Sequence, residues 1–231
     1  MTRECIVLAG GLGTRLRSVV ADKPKCMAPL GEHPFLYYLL QYLHKQGINH
    51  AVLSLGYLSE QVINWCNSME LPLRVSFTVE PEPLGTGGGI INALSAVKGN
   101  EIFIVNGDTY FDVDLAAFNN FHQAHQSPLS LALKPMKQFD RYGSIQLDEQ
   151  QQITRFHEKK YCEEGLINGG IYRTSAGFLE SLSLPEKFSF EKEVLEPGAH
   201  AGKLYGFISD TYFIDIGIPE DYEAAKKVLV S

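Results

Sequence analysis

The chain has 231 residues, a hydrophobic fraction of 45% and a formal net charge of −7. That length and apolar content suit one α/β domain with a sizeable core. The acidic balance excludes a general nucleic-acid surface, and apolar runs as short as "ECIVLA" and "EIFIV" exclude a membrane span.

The N-terminus enters a strand at once. No basic stretch precedes a long apolar run, so no secretory signal is expected. Cys5, Cys26, Cys66 and Cys162 are far apart and form no CxxC pair. Scattered thiols of this kind predict neither a zinc site nor a disulfide framework, and they fit a reducing cytoplasm.

Residues 4–8 read as a buried strand. A helix over 36–46 follows, ended by Gly47. Residues 51–55 form a second strand, and Ser59 is placed to cap a helix through 68. A third strand covers 73–79. Thr86 is placed to cap a helix running to 98, and a fourth strand covers 102–106. This alternation predicts a Rossmann-like, mostly parallel sheet flanked by helices, in a single domain. Ligands in such sheets bind beyond the carboxyl ends of the strands. The second half is less regular. Strands are expected over 129–133, 144–147, 153–156 and 166–173, with a polar turn at 148–152 and a closing amphipathic helix over 219–230.

The chemistry-bearing segments sit at the strand ends. "LAGGLGTRLRSVVADKPKCMAPL" (8–30) puts Gly10, Gly11 and Gly13 just after the first strand, then adds Thr14, Arg15, Arg17, Lys23 and Lys25. Glycines let backbone N–H groups approach a phosphate, and the basic residues add charge. It is neither a Walker A sequence nor the dinucleotide fingerprint. Taken alone, GGLG reads equally well as a plain turn. "EPEPLGTGGGI" (80–90) opens a helix, whose N-terminus attracts anions. "VNGDTYFDVDL" (105–115) places Asp108 just after an apolar strand, where a carboxylate can hold Mg²⁺ between phosphates. Asp112 and Asp114 form a DxD, which also reads as a helix cap at Asp114. "ITRFHEKK" ends on Glu158, Lys159 and Lys160, and "LINGGIY" carries Asn168, Gly169 and Gly170. "YFIDIGIPEDY" gives Asp215 after another apolar strand. Pro219, Glu220 and Asp221 already supply the helix-start signal there, which leaves Asp215 spare for function. "RYG" (141–143) reads as structural. The seven histidines show no ligand spacing, with His122 and His125 expected at the surface. Tyr37, Tyr38 and Tyr42 read as core and rim.

Together, and in this order, these motifs resemble those of the sugar-1-phosphate nucleotidyltransferases, over residues 6–222. The resemblance implies that Leu8, Gly10, Gly11, Gly13 and Thr14 wrap a nucleoside triphosphate, with Arg15 on the triphosphate and Lys25 at the reacting centre. It implies that Glu80, Gly85, Thr86 and Gly87 line the nucleoside pocket, with Glu80 at the base edge. Asp108 and Asp215 would carry Mg²⁺, and Arg15, Lys25, Asp108 and Asp215 would form the catalytic group. Asn106, Glu158, Lys159, Asn168 and Gly169 would hold a sugar 1-phosphate. On that basis residues 1–115 form a nucleotide half and 116–231 a sugar half. Ser18-Val19-Val20 is similar to the branch that activates D-glycero-D-manno-heptose 1-phosphate with GTP for bacterial surface glycans. Cys26 departs from the family, which usually has proline there. The implied partners are the two substrates, with no nucleic acid and no membrane; a homo-oligomer is compatible with the sequence. The alternatives are a mannose-1-phosphate guanylyltransferase or a related pyrophosphorylase, a metal-dependent glycosyltransferase using Asp112 and Asp114, and a silent nucleotide-sugar sensor.

Overall fold

The computed structural model describes residues 3–11, 16, 20 and 22–230. β1 (Glu4–Leu8) is followed by a 3₁₀ turn at Lys25–Met27, a short ribbon of β2 (Pro29–Leu30) and β3 (His33–Pro34), and α1 (Phe35–Lys45). Then come β4 (His50–Leu55), α2 (Ser59–Ser68), β5 (Arg74–Val79), α3 (Gly85–Leu94), β6 (Glu101–Asn106), β7 (Thr109–Phe111) and α4 (Leu115–Ala124). The second half holds β8 (Leu129–Phe139), β9 (Ser144–Leu147), β10 (Ile153–Phe156), β11 (Cys162–Ser175) and α5 (Ala176–Glu180). A π-helical turn (Glu191–Leu195) leads into α6 (Glu196–His200), β12 (Leu204–Ile208), β13 (Phe213–Asp215) and α7 (Pro219–Leu229).

Among the described residues, nine strands form one sheet in the order β10-β9-β11-β6-β1-β4-β5, with β8 paired to β11 and β12 to β8. The run β6-β1-β4-β5 at one end of that order is parallel, as the strand–helix alternation predicts; the antiparallel pairings come from β11 and its neighbours. Side chains alternate between two cores. Cys5 and Val7 of β1, Leu53 of β4 and Val105 of β6 pack under α1, α4 and α7. Ile6, Val52 and Ile104 face the other way, onto Ile90 and Ala93 of α3. Burial on both faces is why these strands read as continuous apolar runs. No helix among the described residues is long and apolar enough to cross a membrane.

Three local expectations are corrected. Ser59 does not cap α2: the cap position is Leu58, held at φ 53°, with no side-chain cap hydrogen bond. Thr86 does not cap α3, which starts at Gly85, because its hydroxyl donates instead to Glu191 Oε2 at 2.7 Å. His122 is buried, with Nδ1 2.9 Å from Ser130 Oγ, and burial lowers its pKa to about 4, so it is neutral at pH 7. Asp114 does cap α4, accepting from the Ala116 and Ala117 amides at 2.9 Å.

At the amino end of the sheet, Glu4 is fully buried. Its Oε1 lies 2.5 Å from His50 Nδ1, and its Oε2 accepts from the amides of Lys98 and Gly99. Burial alone would raise its pKa. The His50 contact and the two amides outweigh that and hold the carboxyl below its usual range. The stabilisation is therefore complete at neutral pH and is lost as the pH falls through the depressed pKa. Glu4→Ala should cost about 3–5 kcal/mol, because it strands a buried partner. Urea midpoints measured between pH 7 and 3 should fall in the wild type and change less in the variant; parallel curves would remove Glu4 as the source.

Candidate active site

The carboxyl ends of β1, β4, β5 and β6 surround a cavity of about 580 Å³. Leu8, Gly10, Gly11, Lys25, Glu80, Gly85, Thr86, Asn106 and Asp108 all line it. Residues from four separate stretches of sequence, 8–11, 25, 80–86 and 106–108, are thereby brought to one place. Gly13, Thr14 and Arg15 lie outside the described residues.

Lys25 rides on the short 3₁₀ turn that follows Pro24. Its ammonium reaches Asp108 Oδ2 at 2.5 Å and Asp215 Oδ1 at 3.2 Å. Asp108 sits in the tight turn between β6 and β7, and Asp215 ends β13. β7 and β13 form their own antiparallel ribbon with Thr109 opposite Asp215, and the Ile216 amide donates to the Asp108 carbonyl at 3.0 Å. That ribbon fixes the two carboxylates beside each other. The Gly217 amide donates to Asp215 Oδ1 at 2.8 Å and holds its rotamer. Two carboxylates sharing one ammonium leave a local excess of negative charge, which suits a further cation.

Whether that cation is Mg²⁺ can be judged from the donors. They are hard oxygens, and among the described residues no group of three His, Cys, Asp or Glu side chains gathers. Mg²⁺ characteristically takes one or two carboxylates and completes its shell with phosphates and water. Asp108 and Asp215 fit that pattern.

Glu80 is half-buried in the cavity wall. Its Oε2 accepts from the Leu84 amide at 3.0 Å, and its Oε1 lies 3.5 Å from Ser54 Oγ. The carboxylate thus organises the Pro-rich loop before α3 while lining the cavity. The glycines of "LGTGGG" serve tertiary packing. A Cβ at Gly87 would lie 2.0 Å from the Phe188 ring, and the Gly87 amide donates to the Phe188 carbonyl at 3.1 Å. Segment 188–191 docks on the start of α3, and its Glu191 carboxylate enters the cavity. Glu191 Oε2 accepts from Thr86 and from Ser189 Oγ at 2.9 Å. Sequence reasoning missed Glu191, Ser54 and Tyr57, all of which line the cavity. Glu191 stands 105 residues from Thr86, so no local pattern announces it.

The remaining sites are placed around this centre. Asn106 abuts Gly170, which has φ +73° and no room for a Cβ beside the Asn106 amide. Asn168 Oδ1 accepts from the Gly170 amide at 3.0 Å, and Asn168 Nδ2 donates to the Tyr172 hydroxyl at 2.9 Å. These bonds pin the register shift of β11 between Asn168 and Tyr172. Gly169 packs under Phe111. Glu158 and Lys159 are exposed on the loop between β10 and β11 and do not line the cavity. Arg141 donates to Asp221 at 2.5 Å and ties "RYG" to the start of α7, in keeping with a structural role. Burial pushes the Cys26 thiol up to about 12, so it lines the cavity as an unreactive apolar group.

Residues 4–231 match the nucleotidyl transferase family. The chain is 47% identical, over 98% of both proteins, to a D-glycero-alpha-D-manno-heptose 1-phosphate guanylyltransferase of Aneurinibacillus thermoaerophilus. It is 45% identical to the Campylobacter jejuni protein of the same name, over 95% of this chain and 96% of that one. The crystal structure of HddC from Yersinia pseudotuberculosis complexed with GMP-PN superposes with a TM-score of 0.88 at 37% identity, covering 98% of this chain and 99% of that one. With its cavity at the carboxyl ends of parallel strands and a match running the length of the fold, the chain belongs to the nucleotidyl transferase family.

Proposed function

We propose that the protein transfers GMP from GTP to D-glycero-D-manno-heptose 1-phosphate, releasing pyrophosphate. The observation that carries nucleotidyl transfer is Lys25, in the lining of the cavity at the strand ends, paired with both Asp108 and Asp215. The heptose and the guanine follow from the two relatives, each matched along nearly its whole length. In this reading residues 1–115 hold the nucleotide and 116–231 the sugar phosphate. The free thiols and phosphorylated substrates suit a cytoplasmic enzyme.

The sugar phosphate oxygen attacks the α-phosphorus in line with the departing pyrophosphate. No general base is required, because a phosphate monoester is largely ionised at pH 7. Catalysis is therefore positioning and charge stabilisation. Lys25 binds the triphosphate beside the α-phosphorus and balances charge on the leaving group. Arg15 supports the triphosphate. Lys159, exposed on its loop, is assigned to the sugar phosphate, with Asn106, Asn168 and Glu158 on the sugar. Asp108 and Asp215 would hold Mg²⁺, which would supply neutralisation of phosphate charge.

Glu80 is assigned to the base. A carboxylate only accepts hydrogen bonds, and each oxygen has two lone pairs. The Leu84 amide uses one on Oε2 and the Ser54 hydroxyl one on Oε1, which leaves each oxygen a lone pair to meet guanine N1–H and N2–H. Uracil and thymine present one N–H between carbonyls, and adenine presents an acceptor there. A bidentate base contact discriminates by about 1–3 kcal/mol. Pyrophosphate release, measured for GTP, ATP, UTP, CTP and dTTP against heptose and mannose 1-phosphates, tests both assignments. GTP with the heptose should give the highest kcat/KM, and Glu80→Gln should narrow the GTP preference. A preference for UTP or dTTP would refute the guanine assignment. Activity on mannose 1-phosphate alone would move the protein to the neighbouring activity.

A further inference from the structure

A second cavity lies at the other end of the same central strands. The active-site cavity opens at Leu8 and Asn106, the carboxyl ends of β1 and β6. The second, of about 750 Å³, opens at Glu4 and Glu101, their amino ends. At about 3.3 Å per residue, β1 separates the two by about 13 Å, so both can be occupied at once.

The lining brings three cations, Arg3, Lys98 and Arg173, against two carboxylates in a chain of net charge −7. Its hydrogen-bonding capacity is lopsided. Glu4 is consumed by His50 and two backbone amides. Glu101 Oε2 is paired with the buried Arg173. Asn119 Oδ1 accepts from Arg173 Nε at 2.8 Å, and Asn100 Oδ1 accepts from the Gly177 amide at 3.0 Å. Among the described residues, the side-chain acceptors left with spare capacity are chiefly Glu101 Oε1 and the Gln123 amide oxygen. The uncommitted donors among the described residues include the Arg3 guanidinium, the Lys98 ammonium and the amide nitrogens of Asn100, Asn119 and Gln123. Neither Arg3 nor Lys98 makes an ion pair among the described residues, and both are exposed.

The two guanidiniums also act on each other. Burial lowers the Arg173 pKa, Glu101 opposes that, and the Arg3 charge adds to the lowering. An anion between them would relieve this repulsion. A depression whose spare groups are mostly charged and neutral N–H donors, against one carboxylate oxygen and one amide oxygen, has the character of an oxyanion site.

We propose that this cavity binds a small phosphate-type oxyanion, gripped by Arg3 and Lys98 with the Asn100 and Asn119 amides. The ligand class is inorganic phosphate or pyrophosphate. The first would report ambient phosphate. The second is released by the reaction proposed above and would let product act at a distance from the chemistry.

The test is a pair of NMR titrations of the full-length ¹⁵N-labelled protein, one with inorganic phosphate and one with pyrophosphate. The Gly99 and Asn100 amides should shift saturably. Arg3→Ala and Lys98→Ala should each raise the dissociation constant read at those amides roughly tenfold. Both variants should keep their thermal midpoint and basal nucleotidyl transfer, because neither side chain has an ion-pair partner among the described residues or lines the active-site cavity. Tighter binding of pyrophosphate assigns the site to product, and tighter binding of phosphate assigns it to the ambient anion. An absence of saturable shifts at Gly99 and Asn100, or unchanged constants in both variants, would overturn the proposal. Neither result depends on which sugar the enzyme uses.

Discussion

Asp108→Asn and Asp215→Asn should each lower kcat by roughly a thousandfold or more, the largest effect expected from any single substitution in this protein. Both changes keep side-chain shape and remove the charge that faces Lys25 at 2.5 and 3.2 Å. The fold should survive. The ribbon that carries them is held by backbone bonds, Thr109 to Asp215 and Ile216 to Asp108. Each side chain is also partly exposed, so its contribution to stability is small. Single-turnover kinetics across a Mg²⁺ titration, with a thermal melt as the fold control, make the measurement. If the carboxylates hold the metal, the variants should need more Mg²⁺ for half-maximal rate. Turnover within threefold of wild type at the same Mg²⁺ would remove that aspartate from the metal site.

The second large effect concerns the lysines, and the structure separates them. Lys25 is largely buried and fixed, whereas Lys159 is exposed on a loop. Lys25→Ala should reduce kcat by about 10²–10³, the scale for losing one preorganised charge at a transition state, with a smaller change in the KM for GTP. It should also leave Asp108 and Asp215 facing each other uncompensated. The variant's melting temperature should therefore respond to Mg²⁺ more strongly than the wild type's. Lys159→Ala should mainly raise the KM for the sugar phosphate. An unchanged KM there would reassign the sugar-phosphate site, and a kcat unaffected in Lys25→Ala would remove it from the reacting centre.

Much of this layout can be read from the chain. The buried strands announce themselves because a parallel strand covered on both faces must be apolar throughout. The Asp114 cap and the cavity at the strand ends follow from motifs placed where strands stop, whereas the ion pairs of Lys25 with Asp108 and Asp215, 83 and 190 residues away, do not. What could not be read depends on contacts far apart in sequence. Thr86 has the right type and position for a helix cap, but its hydroxyl is taken by Glu191 and the Phe190 amide. The glycines at 87 and 88 suggest room for a ligand, yet Phe188 and the Glu186 carbonyl fill that room. The β7–β13 ribbon is only three residues on each side, too short for any periodicity to reveal. β11 runs to 14 residues because its irregular middle, around Asn168, is held by side-chain bonds that a strand pattern does not encode.

The ribbon has a consequence in time as well as in space. Lys25 and Asp108 are 83 residues apart, and Lys25 and Asp215 are 190 apart. During translation at about 5–20 residues per second, Asp215 is made about 10–40 s after Lys25. By then β1, β4, β5 and β6 have all been synthesised, so the parallel platform can assemble while β13 is still missing. The nascent protein can therefore acquire its nucleotide-facing surface well before it acquires a complete pair of carboxylates. Chemistry waits for one late three-residue strand to find its partner.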